Sequence, residues 1–251
     1  IAILIVVLFH AYSRWAELVP YGNKLADFPV FQYGYLGVHL FFLISGYVIL
    51  MTLEKCSHFM NFMYRRWLRL FPAMLVCSII VFFTAGFFFE RPNGQPKYID
   101  LLAGLSFVEP YVWLKITGIQ LSSIEGAFWS LYVEFKFYIV AGILYFKLGG
   151  QRLVFALFLC FFSWFLLGHL SEISTLNFIS FLHSLTHVLS FEYFGWFSAG
   201  AAYFTYVKTK HVNWLICGFL FSLMSSLVEG GLSYGPSIAG FFISLLFFMS
   251  I

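Results

Sequence analysis

Ala127-Phe-Trp129-Ser130-Leu-Tyr-Val-Glu134-Phe-Lys136-Phe-Tyr138-Ile-Val-Ala-Gly-Ile-Leu-Tyr-Phe146 decides how this chain folds. The run is about 20 residues long, and at about 1.5 Å per residue a helix of that length crosses the roughly 30 Å hydrocarbon core of a bilayer. Apart from Glu134 and Lys136 it is apolar, aromatic or small. A carboxylate at membrane depth costs several kcal/mol unless it faces a partner or a water-filled cavity. Glu134 is therefore either a functional acid or a packing charge paired with Lys136 or held by neighbouring helices.

The rest of the chain has the same character. Of its 251 residues 61% are hydrophobic and only 10% charged, far below the roughly one-quarter charged content of soluble domains. Apolar runs at 1–12, 35–53, 71–89, 127–146, 153–170, 188–207, 214–228 and 238–251 predict an all-α, polytopic transmembrane bundle of about eight helices. Ile1 in place of Met, together with a first and last run too short to span, predicts a chain truncated at both ends. Without the true start, no signal peptide can be argued. No repeat or linker interrupts the sequence, so residues 1–251 are expected to form one membrane domain. The longest interruption, 90–126, opens with the turn-forming Glu90-Arg-Pro-Asn-Gly-Gln-Pro96. Its second half is apolar enough for an amphipathic or re-entrant element, and a loop of this length tends to be functional.

Basic residues orient the bundle. Lys55, Arg65, Arg66, Arg69, Lys147, Arg152, Lys208 and Lys210 fall in short connections on one side, which the positive-inside tendency makes cytoplasmic. The net charge of +3 follows from that asymmetry and implies no nucleic-acid partner. Cys56, Cys77, Cys160 and Cys217 lack metal-ligand spacing and read as apolar fillers.

In this orientation His10 lies near the outer end of the first helix, His39 about one turn below the same surface, and Glu134 about two turns below it. A carboxylate near an imidazole orients it and raises its basicity, so the three suggest an acid/base pocket. Gly34, Gly37, Ser45 and Gly46 mark the helix of His39 as closely packed. On the cytoplasmic side Arg65 and Arg69 are i,i+4, and Arg66 and Arg69 are i,i+3. Such a guanidinium cluster suits phosphates, although it equally serves topology and anionic lipid contacts.

Taken in order, four motifs resemble the membrane-bound acyltransferase family 3, a group of bacterial glycan O-acetyltransferases. They are His10; Gly34-Tyr-Leu-Gly-Val-His39-Leu-Phe-Phe-Leu-Ile-Ser45-Gly-Tyr47; Arg65-Arg66-Trp-Leu-Arg69-Leu-Phe-Pro72; and Trp129-Ser130-Leu-Tyr-Val-Glu134-Phe-Lys-Phe-Tyr138. The resemblance implies transfer of an acyl group, usually acetyl, from cytoplasmic acyl-CoA to a hydroxyl of an extracytoplasmic glycan or glycolipid such as lipopolysaccharide, at the bacterial inner membrane. It implies His10 as essential histidine, Glu134 as its acid, and Arg65, Arg66 and Arg69 as the acyl-CoA site. No metal or bound cofactor is implied. His39, Ser45, Trp129, Ser130 and Tyr138 are candidate pocket residues, with His39 where many members carry aspartate. The competing reading is a proton-coupled transporter or exporter using the buried His/Glu cluster, for which inverted repeats would argue; the sequence has no self-similar halves.

Overall fold

The computed structural model describes residues 2–18, 21–88, 91, 93–173, 176–231 and 234–251, and among them every regular element is helical. Ile1, which suggested truncation, and Glu90 and Pro92, at the head of the long loop, lie outside the described residues. The helices are α1 (Ala2–Phe9), α2 (Pro29–Gln32), α3 (Gly37–Leu53), α4 (Phe59–Thr84), α5 (Leu101–Ser106), α6 (Pro110–Thr117), α7 (Trp129–Leu148), α8 (Gly150–Ile173), α9 (Asn177–Val188), α10 (Phe194–Thr209), α11 (Val212–Glu229) and α12 (Tyr234–Met249). Five segments, Gly34–Leu53, Phe59–Phe87, Gly126–Leu148, Gly150–Ile173 and Val212–Glu229, are long and apolar enough to cross a membrane.

Two boundaries and one further helix differ from the reading of hydropathy. The third run begins at Phe59 rather than Phe71, because α4 absorbs the arginine segment and continues through Pro72. Met, Arg and Leu are good helix formers, and in a membrane helix neighbouring groups can compensate the hydrogen bond that a proline removes. The run 188–207 starts as a helix only at Phe194, after a turn in which Ser190 takes a left-handed φ of 57°. The helix α9 was not anticipated: its Asn, Ser, Thr and His residues dilute the hydropathy without breaking the helical period.

The chain forms two compact units, Ile1–Lys55 with Lys147–Ile251, and Cys56–Phe146. In the first, α10 is the core: Phe194 to Tyr203 are all buried. Glycine makes its contact with α3 possible. A methyl at Gly46 would fall on the Phe197 carbonyl, and one at Gly200 on the Leu43 carbonyl, so the two backbones touch. Hydroxyls join the neighbouring helices: Tyr203 and Ser244 are 2.6 Å apart, Ser244 donates to Ser222 at 2.8 Å, and the Ser226 hydroxyl donates to the Ser237 carbonyl at 2.7 Å. Against α3, α1 runs antiparallel. Gly34 sits on Ile5 and Phe9, whereas Gly37 sits on Val6 and Ala2.

In the second unit α4 and α7 are antiparallel, with Gly142 receiving the Phe59 and Phe62 rings and Phe62 meeting Tyr138 edge-on at 6.3 Å. The long loop carries α5 and α6, and buried Asp100 ties it together by accepting from the backbone N–H of Lys97 and of Ser122, both at 2.7 Å. Arg91 donates to the Ile124 carbonyl at 2.7 Å.

Candidate active site

His10 stands where α1 widens into a π-turn over His10–Arg14, a distortion common at functional sites. Its Nδ1 lies 2.9 Å from the Val6 carbonyl. A carbonyl only accepts, so Nδ1 carries the proton and the neutral ring keeps its lone pair on Nε2. Phe9 and Trp15 flank the half-buried imidazole, with ring centroids at 5.2 and 5.4 Å.

A file of rings leads from there to His39. Phe9 meets Tyr35 at 5.8 Å, and Tyr35 meets His39 at 6.1 Å. The first unit thus gathers both sequence-predicted histidines at the end where α1 finishes and α3 begins. His39 is buried, and its Nε2 is 2.5 Å from Oε1 of Glu229. The indole Nε1 of Trp196 donates to the other carboxylate oxygen at 3.2 Å. Glu229 is the last residue of α11, where the negative end of the helix dipole disfavours a carboxylate, and His39 with Trp196 offsets that cost. Sequence reasoning missed Glu229 because it directly follows an apolar run. The available signal was an acid closing a span at the end where His39 opens another. Ser45 is buried two turns further along α3.

The remaining candidates belong to the second unit. The fully buried Tyr138 donates its hydroxyl to Oε1 of Glu134 one helical turn away. Arg66 is buried as well, its guanidinium 5.7 Å from the Tyr138 ring and 5.8 Å from Phe62, with the Glu134 carboxylate within electrostatic reach. Arg65 and Arg69 are exposed. The expected three-membered fork is thus divided, with Arg66 turned inward and Arg65 and Arg69, one turn apart on the same face, outward. Lys136 finds its carboxylate in Glu109, at 2.8 Å. Residues i and i+2 of a helix do not face one another, which disfavours the simple Glu134–Lys136 pairing. Ser130 donates to the Ala127 carbonyl at 3.3 Å in the first turn of α7, and Trp129 opens that helix with 38% of its surface exposed. The four cysteines are separate free thiols.

The acyltransferase domain of acyltransferase family 3 matches residues 1–251. A protein described as an O-acetyl transferase of Shigella phage Sf6 is 29% identical over 176 residues, 68% of this chain and 51% of that protein. The chain therefore spans about half the length of this curated relative. No solved structure matches.

Proposed function

The chain belongs to acyltransferase family 3, and from that premise we propose that it is a membrane O-acyltransferase, moving acetyl from acetyl-CoA in the cytoplasm to a hydroxyl of an extracytoplasmic glycan or lipid-linked sugar. The setting we assign is the bacterial inner membrane. The observation that carries the reading is the His10 imidazole, whose Nδ1 is pinned to the Val6 carbonyl while Nε2 keeps its lone pair. A base of this kind removes the acceptor proton as the hydroxyl oxygen attacks the thioester carbonyl. The C–S bond then breaks, and the leaving thiolate recovers the proton from the imidazolium. In the alternative order Nε2 itself attacks, and an acetyl-imidazole delivers the group to the acceptor.

Exposed Arg65 and Arg69 offer guanidiniums on one helix face for the phosphates of CoA. Arg66, turned inward with Tyr138 and Glu134, holds the shape of the donor end. The basic-residue asymmetry supports a cytoplasmic 55–69 segment, which labelling of single cysteines at Ser57 and Asn93 in intact cells would test.

The deciding experiment supplies radiolabelled acetyl-CoA to membranes that contain the protein and its host glycans. Label should enter the glycan fraction with the parent and fail to enter with His10→Ala inserted at equal level. Undiminished transfer by His10→Ala would overturn the reading.

A further inference from the structure

Beside the His39–Glu229 pair the first unit carries a half-open pocket of about 310 Å³, lined by Phe161, Trp164, His187, Glu192, Tyr193 and Glu229 among others. Three features give it the composition of a binding site rather than a packing defect. Empty packing defects are apolar, whereas this one collects two carboxylates and an imidazole. Each carboxylate is oriented before any ligand arrives. Oε1 of Glu192 lies 3.0 Å from Nδ1 of His187, and Glu229 is gripped by His39 and Trp196. The second imidazole nitrogen of His39, 2% exposed, has no hydrogen-bond partner among the described residues. That leaves unused polar capacity in the wall behind Glu229.

We propose that this pocket is a subsite for one pyranose ring of the acceptor, held by hydroxyl donation to Glu229 and Glu192 and by the faces of Trp164 and Tyr193; this rests on the acyltransferase reading above. The volume lies at the small end of ligand pockets, suited to a single ring. Sugar hydroxyls are donors, and a carboxylate oxygen already accepting one bond keeps a second lone pair for another. The aromatic walls suit the apolar C–H faces of a pyranose. An imidazole nitrogen beside each carboxylate takes up one acceptor position and leaves hydrogen-bonding positions that suit the hydroxyls of a neutral polyol.

The test uses the purified full chain in detergent and titrates methyl α-D-glucopyranoside, methyl α-D-galactopyranoside and methyl α-D-mannopyranoside, with choline as a cationic control, by saturation-transfer NMR. At least one pyranoside should receive saturation on its ring protons. Trp164→Ala and Glu192→Gln, each with parental helicity and melting, should raise its dissociation constant at least about tenfold, the scale of one lost charge-assisted contact. No saturation of any pyranoside, saturation undiminished in both variants, or saturation of choline in place of sugar would each overturn the proposal. Acetyl-CoA turnover by the same preparation is scored separately. Sugar binding without turnover counts against the acyltransferase reading and leaves the subsite standing, whereas turnover without sugar binding does the reverse.

Discussion

The His39–Glu229 pair and the Arg66–Tyr138–Glu134 cluster both carry charge within apolar helical bodies, yet they are placed differently along their helices. Glu229 closes α11, and its side chain keeps 35% exposure beside a pocket. Glu134 and Arg66 lie within α7 and α4, joined through a tyrosine with no exposed surface. A charge at a helix end can exchange one partner for a ligand hydroxyl at little cost. A charge between helices must keep its partners, because stripping one leaves a buried ion uncompensated. The first arrangement suits recognition, and the second suits holding a shape.

The comparison breaks if the first unit proves chemically inert. His10→Ala should lower glycan acetylation at least about 10²-fold, the lower end of what a general base contributes, measured as initial rate at saturating acetyl-CoA. A smaller loss would move the chemistry out of the first unit. Next come the guanidiniums. Arg65→Lys combined with Arg69→Lys keeps the charge and loses the planar fork, so the acetyl-CoA dissociation constant should rise about tenfold or more by calorimetry. Arg152→Ala, on α8, should leave it unchanged. Equal binding by the parent and the double lysine variant would reduce these arginines to a topology signal.

Glu134→Gln sharpens the contrast, because it keeps the shape and removes the charge. Its acetylation rate should fall about tenfold, or about 1.4 kcal/mol of barrier. An unchanged rate together with lowered melting would make the cluster purely structural. The smallest effect is expected of Tyr138→Phe, which removes one buried donor from Glu134 and should cost about 1 kcal/mol in thermal unfolding in detergent. Stability equal to the parent would mean that another group takes over the carboxylate.

The division between what the sequence revealed and what it concealed follows from the solvent. The helical membrane class was legible because the composition permits little else, and the close packing around α3 was legible because Gly34, Gly37 and Gly46 stand out in an apolar run. Helices apolar on all sides carry no stripe to say which face meets which neighbour. The inward turn of Arg66, the union of Tyr138 with Glu134, and the capture of Glu229 by α3 and α10 were therefore hidden. His10 and Glu134 belong to different compact units, a division that the sequence did not reveal. Pro72 stands inside α4, where neighbouring groups of a membrane helix can take up the hydrogen bond it removes.

The reciprocal seating of Gly46 and Gly200 has a mechanical consequence. Each backbone occupies the notch left by the other's missing side chain, so neither helix can slide past the other without a jump to a new register. About two turns along α3 from that joint is His39, and one turn along α10 is Trp196, the two residues that grip Glu229. When the surrounding bilayer thins or thickens, α3 and α10 must tilt together as one beam. The spacing of the grip on Glu229 is thereby insulated from the lipid.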